Sequence, residues 1–246
     1  DLVLLGEPGS GKTTTLWRLM YDHAQSADSK SNEERIPVLA RLGRYDGKQA
    51  IAEFLRDELI ESSKETDEHP SYPAHGRIAA HLQEYLEDGR LLILFDALNE
   101  MPQAGFSESA RRLETFRERY RSLHFVFTCR SLDYTFKFDL SEAIIQDLDE
   151  ERIETFLKKH WDAEGERLFT KLRDAHKDLL DIGRNPYMLF IIGHIHHEAK
   201  GELPGNRGLL FQSFVNALLE RERKTHPGRW LNPEIQIQVL SDLAIA

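Results

Sequence analysis

Gly6-Glu7-Pro8-Gly9-Ser10-Gly11-Lys12-Thr13 is the segment whose residue types and spacing point most directly to chemistry. Its glycines permit backbone conformations closed to other residues, so that successive N–H groups can wrap an anion at close range. The segment fits G-x-x-x-x-G-K-[ST] in full, a spacing in which the lysine ammonium reaches the β- and γ-phosphates of a nucleotide. The hydroxyl after it ligates Mg²⁺, and the N-terminus of a following helix faces the same anion. Gly6, Glu7, Pro8, Gly9, Ser10, Gly11, Lys12, Thr13 and Thr14 are therefore the expected nucleotide cradle, with Lys12 also serving catalysis.

Leu91-Leu92-Ile93-Leu94-Phe95-Asp96 is an apolar strand that ends in an acid. In parallel α/β sheets that end of a strand borders the ligand crevice, so Asp96 is expected to share the Mg²⁺ site with Thr13. Glu100 follows at a distance suited to orienting or deprotonating an attacking water, or else it is a loop acid facing solvent. Asn99 cannot act as a base. Arg130, just after Phe125-Val126-Phe127-Thr128-Cys129, is placed to read a γ-phosphate by charge and shape, or else forms a surface salt bridge. No Asn-Lys-x-Asp motif for guanine occurs, which favours ATP or ADP over GTP.

These residues need a scaffold. Leu2–Leu5, Ile36–Ala40, Leu91–Phe95 and Phe125–Thr128 are short apolar runs of the kind found in buried parallel strands, and Ala143–Gln146 is a fifth candidate. Between them lie helical periods: Leu16, Leu19 and Met20; Ile51, Phe54, Leu55 and Leu59; Ile78, Leu82, Tyr85 and Leu86; Leu113, Phe116 and Tyr120. Alternation of this kind predicts an α/β domain, a parallel sheet flanked by helices, over residues 1–149. From 150 to 231 only helical periods remain, which predicts a smaller all-helical unit. Residues 232–246 read as the truncated start of a further domain. Trp17 and Phe54 fall at core spacing, and Cys129 is expected to pack at a strand end. His194, His196 and His197 read as exposed helix-surface histidines rather than a metal site.

The chain has 246 residues, 40% apolar and 30% charged, with a formal charge of −10. That balance describes a folded globular protein and argues against a general nucleic-acid surface. Its longest apolar runs are too short to span a bilayer. A single cysteine and no N-x-Ser/Thr site suit a reducing cytoplasm. Asp1 leads straight into the first strand, which suggests a chain cut from something longer.

Taken together, these pieces resemble the NACHT family of STAND signal-transduction NTPases, which occur in innate-immune receptors and bacterial defence proteins. Gly6–Thr13, Ile36-Pro37-Val38-Leu39-Ala40-Arg41-Leu42, Asp96-Ala97-Leu98-Asn99-Glu100 and Thr128-Cys129-Arg130 carry the likeness, joined by Asn185-Pro186-Tyr187-Met188-Leu189. The resemblance implies a P-loop ATPase with slow turnover, closed with ADP and open to homo-oligomerisation with ATP. It also implies that Pro186 lies against the adenine, and that effector and sensor domains lie outside this chain. Ala97 stands where the family often has Gly, and Asn99 where it often has an acid. Alternatives are a non-hydrolysing nucleotide-binding module, an AAA+ type ATPase or a small-molecule kinase.

Overall fold

A computed structural model describes residues 1–26, 35–64, 73–225, 232, 235–239 and 242, in two units, Asp1–Gln146 and Asp147–Ala246. The expected start of a further domain at 232–246 lies largely outside the described residues, as does most of a polar loop between 62 and 75.

In the first unit the elements run β1 (Leu2–Gly6), α1 (Lys12–Ser26), β2 (Ile36–Arg41), α2 (Ile51–Lys64), α3 (Pro73–Ala80), α4 (Leu82–Glu87), β3 (Leu91–Asp96), α5 (Phe106–Arg119), β4 (His124–Arg130) and β5 (Ser141–Ile144). All strand pairs are parallel, in the order β2-β3-β4-β1-β5. The parallel sheet with flanking helices is therefore as the sequence predicts. β4 sits between β1 and β3, which places Gly6 opposite Arg130 and Phe95 opposite Phe127.

Strand side chains alternate between faces, and this alternation sorts the residues of interest. Ile93, Phe95, Phe125 and Phe127 pack on one face with residues of α2 to α5, such as Phe54, Leu86 and Leu113. Leu92, Leu94 and Val126 pack on the other face against Leu16, Leu19 and Met20 of α1. By the same parity Asp96, Thr128 and Arg130 belong to the α1 face. The helix that starts with Lys12 and Thr13 therefore covers the side of the sheet on which those three side chains emerge.

Several local expectations need correction. Trp17 is 51% exposed, whereas Phe54 is buried at 2%. A single helix lying on a sheet buries only a narrow stripe, and Trp17 is turned away from the side that carries Leu16 and Leu19. The fifth strand is Ser141–Ile144 rather than Ala143–Gln146. It is an edge strand exposed along its length, so no buried pattern marks its bounds. The helical period from Ile78 to Leu86 breaks at His81 into α3 and α4. Pro37 sits in the other edge strand, where a missing N–H costs little.

The second unit comprises α6 (Glu150–Ala175), α7 (Lys177–Ile182), α8 (Pro186–Glu198) and α9 (Arg207–Thr225), with no strand among its described residues. The Asp149 side chain caps α6 by accepting from the Arg152 N–H, and Glu150 and Glu151 favour the same positive helix end. Asn185 caps α8 by accepting from the N–H groups of Tyr187 and Met188. Pro186 follows at the first helical position, where no N–H is needed. α6 is interrupted at Trp161 and Asp162. The Trp161 ring lies where a side chain on Gly193 of α8 would stand, so only glycine admits it there. Leu157, Leu168, Leu172, Leu189 and Ile192 form the unit's core. No described helix is long and apolar enough to cross a membrane.

Candidate nucleotide-binding site

Between β1 and α1 the loop turns on Gly9 (φ +77) and Gly11 (φ +95), both in the left-handed region that favours glycine. Gly6 is needed for a different reason: a Cβ there would come 2.5 Å from the Ser10 hydroxyl oxygen. Within the loop the Ser10 N–H donates to the Glu7 carbonyl at 3.1 Å. Among the described residues, the N–H groups of Gly9, Gly11, Lys12 and Thr13 donate to no backbone carbonyl. The buried Ser10 hydroxyl also lacks a hydrogen-bond partner among the described residues. A loop with open N–H groups at a helix N-terminus is suited to an anion of several oxygens, and the residues present fit a polyphosphate.

Lys12 Nζ donates to the carbonyls of Gly6 at 2.8 Å and Glu7 at 2.9 Å. Two of its three donors thus hold the loop, and one remains. Partial burial lowers the Lys12 pKa, and the Arg130 charge lowers it further. That second effect marks Lys12 and Arg130 as neighbours whose positive charges an anion would offset. The Arg130 guanidinium is half-exposed and pairs loosely with Asp133 at 3.9 Å, so the anticipated surface ion pair is present alongside its proximity to Lys12.

Asp96 is 6% exposed, and both its oxygens are held. Oδ2 accepts from the Thr13 hydroxyl at 2.9 Å and Oδ1 from the buried Thr128 hydroxyl at 2.5 Å. The Thr128 hydroxyl in turn accepts from the Ala97 N–H at 2.8 Å. A Thr13 oxygen that donates its proton to Asp96 keeps its lone pairs. The Thr13 hydroxyl and the Asp96 carboxylate are the groups that would hold Mg²⁺. Sequence reasoning singled out Thr13 and Asp96 but gave Thr128 no role. Only the position of β4 beside β3 reveals it.

After Asp96 the chain turns sharply through Ala97, at φ 60 and ψ 58, into a single 3-10 turn over Leu98–Glu100. Asn99 Oδ1 accepts from the Arg130 N–H at 3.1 Å, so its amide ties this turn to the end of β4. Glu100 is exposed, and its carboxylate lies beside Gly43, where an added Cβ would be 3.2 Å from Oε2. Lys12, Thr13, Asp96 and Arg130 thus converge, while Glu100 stands at the rim of the turn. Pro186 belongs to the second unit. Cys129 is buried, and burial pushes its thiol pKa up to about 11, so it packs rather than reacts. Contrary to expectation, His196 is buried rather than exposed.

The NACHT domain family matches residues 1–164, two thirds of the sequence. This chain belongs to the NACHT family. No curated protein matches it. Among solved structures, a STAND protein with a tetratricopeptide repeat sensor from Pyrococcus horikoshii is 15% identical, with a TM-score of 0.47. The match covers 88% of this chain but 30% of that one. A Walker-type ATPase of Pyrococcus abyssi is 13% identical with a TM-score of 0.49, over 92% of this chain and 71% of that one. The Orc1 protein of Aeropyrum pernix, solved in complex with DNA, is 17% identical with a TM-score of 0.49, over 98% and 65%. Membership makes this NACHT chain a nucleotide-binding P-loop NTPase.

Ala97 holds a left-handed conformation that glycine adopts at less cost. Ala97→Gly is expected to raise stability by about 0.5–1 kcal/mol, because relief of the left-handed strain exceeds the entropy that glycine adds to the unfolded chain. Ala97→Val should lower stability clearly. Thermal unfolding of both variants checks the pair, and a valine variant as stable as the parent would refute the strain.

Proposed function

We propose that this chain is the ATP-operated switch of a larger signalling or defence protein, binding Mg²⁺–ATP and hydrolysing it slowly. The observation that carries this reading is the Thr13–Asp96–Thr128 hydrogen-bonded series beside the phosphate loop. It presents a hydroxyl and a buried carboxylate to one point, with Lys12 and Arg130 supplying positive charge nearby. Bound Mg²⁺ would offset phosphate charge and favour departure of the γ-phosphoryl group. The open loop N–H groups of Gly9, Gly11, Lys12 and Thr13 and the Lys12 ammonium would hold the β- and γ-phosphates. Arg130 would respond to the presence or absence of the γ-phosphate, a difference that a switch requires. Glu100 would orient or deprotonate the attacking water.

Hydrolysis on this scheme is slow because residue 99 is an amide, which ties the turn to the Arg130 N–H and supplies no base, so that this role falls to Glu100. The same observation favours a second reading, a module that binds nucleotide without turning it over. In the full protein, the ADP state would be closed and the ATP state would assemble into homo-oligomers in the cytoplasm. Effector and sensor domains outside this chain would set the input and output.

Three measurements test the proposal. Lys12→Ala is expected to cost about 2–5 kcal/mol of ATP affinity by calorimetry with magnesium present. Near-UV circular dichroism should verify that the loop's other role for Lys12 has not unfolded the chain, and unchanged affinity would end the proposal. Glu100→Gln should keep ATP affinity while lowering multi-turnover phosphate release by about 10²-fold or more. Turnover equal to the parent's removes Glu100 as base, and no turnover in either protein favours the binding-only reading. The assignment of Pro186 to adenine rests on the family resemblance. The parent should prefer ATP to GTP and Pro186→Ala should narrow that preference, whereas equal affinities in the parent would refute the assignment.

A further inference from the structure

The second unit carries a half-open cavity of about 270 Å³ that the nucleotide chemistry does not use. Its wall comes from Glu164, Arg167 and Lys171 of α6, His196 of α8, and Lys200 and Glu202 of the following turn. The size is just under the range of small-molecule pockets, so a small ligand fits.

His196 makes this more than a dent in the surface. Its side chain is 4% exposed, with Nδ1 3.4 Å from Glu164 Oε1. Nε2 is buried and has no hydrogen-bond partner among the described residues. It faces the turn around Gly201, where an added Cβ would stand 3.9 Å away. That turn is firmly held. Lys171 Nζ donates to the Gly201 carbonyl at 2.6 Å, and the Gly201 N–H donates to the His196 carbonyl at 2.8 Å. A buried ring nitrogen in such a place calls for a partner.

We propose that this cavity binds a phosphate-type oxyanion, free phosphate or the phosphate of a small monoester, through Arg167, Lys200 and His196. Three cations (Arg167, Lys171 and Lys200) face two carboxylates (Glu164 and Glu202), an excess of one positive charge before His196 is counted. Glu164 is further offset by His197, whose Nδ1 lies 2.9 Å from Oε2. That contact raises the His197 pKa, first through the hydrogen bond and then through the charge of Glu164.

The protonation chemistry selects phosphate over a carboxylate or sulfate. Burial lowers the His196 pKa, with Lys171 and Arg167 adding to the effect and Glu164 opposing it, so the free ring is neutral at pH 7. With Nδ1–H directed to Glu164, Nε2 then presents a lone pair. A carboxylate or sulfate brings no proton to that lone pair. A phosphate, with its second pKa at about 6, brings a P–OH that donates to Nε2 while its other oxygens accept from Arg167 and Lys200. One proton shared between phosphate oxygen and Nε2 serves the contact whichever side holds it. As pH rises the shared proton is lost and the lone pair meets a dianion, so affinity falls.

The test uses the full chain carrying Lys12→Ala, which suppresses phosphate binding at the loop between β1 and α1. Inorganic phosphate and ribose 5-phosphate are titrated while the imidazole nitrogens are followed by NMR, with the His196 signals assigned by their loss in His196→Gln. The expected result is saturable movement of the His196 Nε2 signal with a Kd on the order of 1 mM at pH 7. Affinity should weaken by about tenfold between pH 7 and 8.5, and sulfate should bind several-fold more weakly at pH 7.5. Arg167→Gln, an exposed change that spares the fold, should weaken phosphate by about fivefold. Tighter binding of ribose 5-phosphate identifies a monoester as the better ligand, and equal binding identifies the free anion. A His196 signal unmoved by about 20 mM phosphate, or a response unchanged in Arg167→Gln, overturns the proposal.

Discussion

The Asp96 carboxylate, held by one hydroxyl from α1 and one from β4, is the contact on which the first unit's site depends. Its geometry follows from strand order. Because β4 lies between β1 and β3, the strand that feeds the phosphate loop and the strand that ends in Asp96 are not neighbours. Thr128 bridges the gap, and its hydroxyl also accepts from the Ala97 N–H. One buried carboxylate thereby sets the direction of the chain beyond β3 and the position of the first turn of α1. Such an acid tolerates burial because each oxygen has a donor.

Much of this site is legible in the residues themselves. The loop Gly6–Thr13 has a spacing dictated by phosphate geometry, and Asp96 ends an apolar strand that could only be buried. Both signals are local, and local signals survive without knowledge of the fold. Thr128 carries no such mark. Its importance comes from lying beside Asp96 in the sheet, a neighbour relation set by which strand enters between which others. Strand parity already assigns Asp96, Thr128 and Arg130 to one face, but only once β4 is known to adjoin β3.

Elsewhere the residue pattern misleads for physical reasons. Trp17 keeps helical company with Leu16 and Leu19 yet faces outward, because a helix on one side of a sheet needs only a thin apolar stripe. β5 has no buried face to announce it. His196 sits in a run of histidines that reads as surface, but α8 turns it inward toward α6 and the Glu164 carboxylate. The pattern shows which residues are polar, whereas tertiary packing decides which of them are enclosed.

The carbonyls of Gly6 and Glu7 tie the Lys12 ammonium to the backbone of its own loop. One side chain is thereby both strut and counter-ion: it braces the curve of backbone whose open N–H groups share its electrostatic task.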